Sequence, residues 1–105
     1  MSELPTLPDL PELPDVIAPD GSEIRLLNSQ DAGSSMVHAT LRPGSTTHAV
    51  QHRTVEESWV CVGGQGELWR ANDNDESVIG LVSGTTCDIP LGTRFQFRST
   101  GITPL

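Results

Sequence analysis

The sequence predicts an all-β fold, a barrel or a sandwich, on three observations. Short apolar stretches recur from residue 22 onward, clusters of Gly, Pro, Asn and Asp separate them, and no segment keeps helical periodicity for three turns. Strands this short and this evenly spaced bury their apolar sides against one another rather than under crossover helices. At 105 residues the chain is a single domain with a modest core.

The elements follow in order. Residues 1–21 form a Pro/Leu-rich arm, and residues 22–105 form the barrel domain. In the arm, "LPTLPDLPELPD" places Leu4, Leu7, Leu10 and Leu13 at intervals of three, alternating with Pro5, Pro8, Pro11 and Pro14. A polyproline II helix has three residues per turn, so the four leucines line one edge. Either the arm docks on an apolar surface or it is a plain tail; docking is the expectation, because proline-rich segments lose little chain entropy on ordering. Strands are then expected at "EIRLL", "SMVHATL", "THAVQH", "SWVCV", "GELWR", "SVIGLV", "TTCDI" and "RFQFRS". The connections are "NSQDAGS", "RPGS", "GGQG", "ANDNDE" and "SGT".

Charge and composition exclude several function classes. The formal charge is −8 and the six basic residues are all Arg, so the chain has no basic face for nucleic acid. The N-terminus lacks a positive n-region and the apolar runs are short, so neither a signal peptide nor a membrane span is expected, and the cytoplasm is the expected location. Cys61 and Cys87 have no C-x-x-C spacing. They read as free, small core residues rather than a zinc knuckle or a redox pair.

Residues 40 to 100 carry a family resemblance. In "EESWVCVGGQGEL", Glu57 is followed by six residues and then Gly64, and His52 precedes Glu57 with four residues between them. Further on, "GTTCDIPLGTRFQF" sets Gly84, Pro90 and Gly92 at the spacing G-x5-P-x-G. These stretches resemble the first and second motifs of the cupins, G-x5-H-x-H-x3-4-E-x6-G and G-x5-P-x-G-x2-H-x3-N. With its "HRTVEE" and "FQFRSTG" segments the chain resembles in detail small single-domain bacterial cupins of the RmlC-like kind. The resemblance implies a cupin-type double-stranded β-helix, or jelly-roll barrel. It also implies a site for one divalent metal (Zn, Fe, Mn or Ni, not distinguishable) and pairing as a homodimer.

The motifs are degenerate. Val50 takes the place of the first histidine, Phe95 that of the second-motif histidine, and Ser99 that of the closing Asn. His52 and Glu57 remain as ligand or catalytic candidates, two where a catalytic zinc or iron site uses three protein ligands. His48 is the candidate for a third. On a regular strand His48, Val50 and His52 share a face, but four residues span roughly 13 Å, so His48 and His52 converge only across a kink or bulge. Without metal, His52 and Glu57 are expected to satisfy each other by a charge-assisted hydrogen bond.

Alternation completes the interior. With Glu57 inward, Trp59 and Cys61 share its face, and Phe97 shares the face of Phe95. Val50, Trp59, Cys61, Phe95 and Phe97 therefore line a pocket suited to a small, partly apolar molecule, and they equally serve as plain core. Arg94, Gln96 and Arg98 turn to the other face. Two functions stay open: a barrel that binds a small organic ligand, with or without a weakly held metal, and a cupin enzyme of dioxygenase or isomerase type. An open sheet edge is expected after "STGITPL", to be covered by the arm or a partner subunit.

Overall fold

The structure is a computed structural model, and it describes residues 10–27, 36–53 and 55–105. The connection "NSQDAGS" and the leucines Leu4 and Leu7 lie outside those residues. The described residues form nine strands: β1 (Val16–Ile17), β2 (Glu23–Leu26), β3 (Val37–Thr40), β4 (Val50–Gln51), β5 (Glu57–Val60), β6 (Gln65–Ala71), β7 (Glu76–Val82), β8 (Thr86–Ile89) and β9 (Arg94–Ser99). None of the described residues is helical, so no helix is long and apolar enough to cross a membrane.

The strands form three antiparallel sheets, β1-β2-β3, β4-β9-β6-β7 and β5-β8. The fold is an all-β cupin-type jelly roll. Its core lies between the second and third sheets: Leu68, Leu81, Phe95 and Phe97 come from one side, Ile89 from the other, and Leu41 enters from the segment after β3. Fully burying side chains such as Leu68 and Ile89 contributes roughly 1.5–3 kcal/mol each. Alternation sorts β9 as expected. Phe95 and Phe97 are 3% and 6% exposed, whereas Arg94 and Arg98 face solvent and Arg98 pairs with Glu67 of β6.

The first sheet stands apart from that core, contributing none of its buried residues. It draws its outer strand, β1, from the segment that composition assigns to the arm, with Val16 opposite Ile24 of β2. The turn "APDGS" makes this pairing. Ser22 donates its N–H and hydroxyl to one Asp20 carboxylate oxygen at 2.8 and 2.6 Å, and Gly21 takes a φ of 96° that other residues avoid. A two-residue strand between Pro14 and Pro19 is too short to show a period, which is why only pairing reveals it.

The expected strand "THAVQH" is interrupted. Thr46 bridges Arg98 and Val50 pairs with Phe95, so four steps on this segment oppose three on β9. The extra residue is a β-bulge. Thr47 stays buried, its N–H donating to Phe97 O at 2.9 Å and its hydroxyl accepting from Phe97 N–H at 3.0 Å. His48 and Ala49 are exposed, and the His48 N–H leaves the sheet to donate to Asp20 O at 2.9 Å.

The C-terminal residues pair back onto the segment that follows β3. Leu41 and Leu105 exchange two backbone hydrogen bonds, at 2.8 and 2.9 Å, and Leu105 packs on the core. The tail fits because Gly64 and Gly66 have no side chains. A Cβ on Gly66 would collide with the Arg98 carbonyl and come within 2.6 Å of Leu105 Cδ2. Gly66→Ala is therefore expected to lower the melting temperature, at a cost of roughly 1–3 kcal/mol, the range for overpacking. Gly80→Ala, whose Cβ meets nothing within 4 Å, is the control in the same thermal melt.

Candidate functional site

The barrel mouth is built on three aromatic rings. Trp59 of β5 meets Phe95 and Phe97 edge-on, with centroids 5.6 and 5.1 Å apart and interplanar angles of 88° and 86°. Edge-to-face pairs of this kind contribute roughly 0.5–1.5 kcal/mol beyond burial. The His52 ring lies 5.3 Å from Phe95, tilted by 45°. Phe95 thus fills the space at the centre of the mouth and touches both the tryptophan and the histidine.

Above this floor sit the polar candidates. His52 Nε2 is 3.6 Å from Glu57 Oε1, and both side chains are about one-third exposed. That separation exceeds a hydrogen bond, so the tight pair expected from the sequence is instead a loose one at the rim. The carboxylate is held from the other side: Trp59 Nε1–H donates to Glu57 Oε2 at 3.1 Å. The indole therefore orients Glu57, and one carboxylate oxygen remains directed at the gap before His52. Alternation placed Trp59 and Glu57 on one face but gave no sign that they bond to each other.

A concavity of about 400 Å³ adjoins the rim, lined by Glu56, Glu57, Ser58, Asp88, Ile89 and Pro90. It opens where β5 begins and β8 ends, so Ile89 supplies an apolar wall and three carboxylates supply negative charge. Sequence reasoning turns Glu56 to the opposite strand face from Glu57, toward solvent or an arginine, and it is exposed; Asp88 was not singled out. Asp88 joins Glu57 only because Glu57 pairs with Ile89 and Ser58 with Asp88 across the two strands.

The donor set for a metal is short. Val50 and Phe95 offer no lone pair, and the bulge leaves His48 exposed rather than beside His52 and Glu57. Among the described residues no three His, Cys, Asp or Glu side chains are grouped so as to hold an ion. Two donors fall below the three protein ligands of a catalytic centre.

Cys61 and Cys87 are free and pack against the core. Cys87 lies opposite Trp59 in the β5–β8 ladder. Burial pushes its thiol above the usual range; Asp88 and Cys61 add to the rise, while Arg70 opposes it. Arg70 is held over the end of β8 by donating Nη1–H to Asp88 O at 2.6 Å.

No protein-family model and no curated protein sequence matches this chain. Among solved structures the chain is similar to the cupin domain of Drosophila melanogaster CENP-C, with a TM-score of 0.71 at 15% identity over 81% of this chain and 65% of that one. It is likewise similar to Drosophila melanogaster CENP-C bound to CAL1, with a TM-score of 0.70 at 15% identity over 81% and 69% of the two chains. CapF of Staphylococcus aureus, a capsular polysaccharide assembling protein, matches with a TM-score of 0.52 at 24% identity over 85% of this chain and 22% of that one. This chain spans about two thirds of the CENP-C chains and about a fifth of CapF. At such identities the likeness shows the fold, and the fold is that of the cupins.

Two outcomes test this geometry. Phe95→Ala is expected to cost roughly 3–5 kcal/mol by opening a cavity beneath Trp59 and His52; a loss below about 1 kcal/mol in denaturant unfolding would place Phe95 outside the core. In a Cys61→Ser variant, iodoacetamide is expected to label Cys87 slowly at neutral pH and faster as the pH rises, because the thiolate is the nucleophile. Adding Arg70→Gln removes the opposing cation and should slow labelling further at any given pH.

Proposed function

We propose that this cupin-fold domain is a binding module whose barrel mouth takes a small, partly apolar organic molecule bearing a hydrogen-bond-donating or cationic head. The observation that carries the reading is Phe95. It stands at the position where the family resemblance implies a metal-binding histidine, is buried, and packs edge-on against Trp59, so the packing behind the site is aromatic where a metal donor would stand. Above it Glu57 offers a carboxylate oxygen, and Glu56 and Asp88 make the neighbouring wall negative. An apolar floor with a few placed polar groups is the usual make-up of a small-molecule site. The acidic rim favours an amine over a carboxylate.

Val50, Trp59, Cys61 and Phe97 support the floor in this reading, while His52 and Glu57 contact the ligand. Any divalent ion is held weakly by His52 and Glu57, because no third donor joins them. The chain then belongs with RmlC-like cupins whose metal motifs have lapsed. The free cysteines fit a reducing cytoplasm, and the exposed apolar face of the first sheet fits a homodimer. That this fold serves binding has a precedent in CENP-C bound to CAL1.

A catalytic reading rests on one observation: His52 and Glu57 survive in register, 3.6 Å apart and reachable from solvent. Such a pair can pass a proton to or from a bound molecule without a metal, the isomerase-like variant of the reading.

The test is a thermal-shift and native mass spectrometry screen of small aromatic and aliphatic amines, with matched carboxylic acids as the control set. Amines are expected to bind, and Glu57→Gln is expected to weaken them at least about tenfold, the loss of one charge-assisted hydrogen bond. Preferential binding of the acids, or equal binding by Glu57→Gln, would overturn the reading. Metal analysis runs alongside: one-to-one, chelator-resistant metal that disappears in His52→Ala would favour the enzyme instead. Val50→His, which restores H-x-H spacing, is expected to tighten metal binding.

A further inference from the structure

The first sheet presents its apolar face outward. Pairing sets Val16, Ile24, Leu26, Val37 and Ala39 on one side, since Val16 and Ala39 oppose Ile24 and Val37 opposes Leu26. Val16, Leu26 and Val37 are 52%, 45% and 44% exposed, Ala39 is exposed and Ile24 is half-buried. None of the five belongs to the core or packs against it. The other side holds Ile17, Glu23, Arg25, His38 and Thr40, of which Arg25 is buried.

The root of the arm is tied to that other side. Arg25 donates Nε–H to Pro11 O at 2.6 Å and Nη2–H to Glu12 O at 2.7 Å. Strand neighbours point to opposite faces, so the arm leaves its own sheet on the side away from Ile24 and Leu26. Leu10 and Leu13 are 49% and 77% exposed there, so their own domain does not cover them.

We propose that the Val16–Ile24–Leu26–Val37–Ala39 face is the docking site for the Leu-Pro arm of a second copy of this chain, two copies exchanging arms reciprocally. The inference rests on the self-association proposed above and names the surfaces that make it. Leucines three residues apart in polyproline II geometry are separated by about 9.3 Å. The outer two strands of a three-stranded sheet are about 9.6 Å apart, so successive leucines of a crossing arm match the width of the face. The nine residues before Leu10 reach about 28 Å, enough to cross it. The face carries no charge, so the acidic chains meet there without opposing charges. A patch of five half-exposed side chains is too small for the roughly 800 Å² per partner of a stable dimer, whereas reciprocal arms contribute twice over.

The experiment is sedimentation equilibrium of the full chain, of a chain lacking residues 1–9, and of Leu26→Glu. It is joined by anisotropy titration of a labelled peptide of residues 1–13 into the shortened chain. The full chain is expected to dimerise. Both variants are expected to raise the dimer dissociation constant at least about tenfold, as befits leucine side chains left in water. The peptide should bind the shortened chain saturably and fail to bind its Leu26→Glu form. Circular dichroism checks that the exposed substitution leaves the fold intact. A full chain that stays monomeric overturns both self-association and arm exchange. A dimer that survives deletion of residues 1–9 overturns arm exchange alone. Peptide binding that persists in Leu26→Glu removes this face as the arm's site.

Discussion

The edge-to-face packing of Trp59 on Phe95 is the contact on which the barrel mouth depends. Phe95 sits in β9 between Val50 of β4 and Arg70 of β6, so its ring is fixed by two ladders at once. Trp59 reaches it from the β5–β8 sheet and closes the space between the two sheets. The indole has a second task, because its N–H holds the Glu57 carboxylate. Packing and polar placement are therefore coupled: a change that lets the tryptophan move also releases the carboxylate. Such a site is held by side chains locked in a core, which is what positions a few polar groups reproducibly.

The same contact occupies a position that a metal donor would need. A histidine in place of Phe95 would add a donor, but it would remove the ring against which both Trp59 and His52 pack. The bulge between Thr46 and Val50 acts in the same direction. It keeps Thr47 buried and bonded to Phe97 while it turns His48 out, so one extra residue decides which of the two imidazole candidates, His48 or His52, faces the rim. A bulge beside a site re-aims side chains, and here it leaves His52 without an imidazole partner.

The first sheet obeys a different logic. In a single copy it has an apolar face in water and a buried arginine on the other side, the reverse of ordinary burial. Arg25 is not stranded, since it donates to two arm carbonyls and to Thr40 Oγ1 at 3.4 Å. A guanidinium is well suited to this, because its planar fork satisfies several carbonyls at once. The arm root and the buried arginine thus stabilise each other on one side of the sheet, and the apolar side is left exposed.

Much of this was legible in the sequence, and the limits have physical causes. Period-two alternation and turn residues identify β2, β3 and β5 to β9, and they put Phe95 with Phe97 and Glu57 with Trp59 on shared faces, because a strand has two sides and its side chains alternate. The spacing of Gly84, Pro90 and Gly92 likewise carries the cupin resemblance, since turns demand particular backbone angles. Local pattern says nothing about which strand lies beside which. The bulge that expels His48 appears only when the count on one strand is set against its neighbour. The Trp59–Glu57 bond, the carboxylates gathered around Ile89, and the closing of Leu105 on Leu41 past Gly64 and Gly66 each join residues that only the fold brings together. The alternation of "EIRL" marks two faces but not which one is covered. That was decided by Arg25, whose partners Pro11 and Glu12 lie far back along the chain, because burial depends on what packs against a face rather than on the residues that compose it.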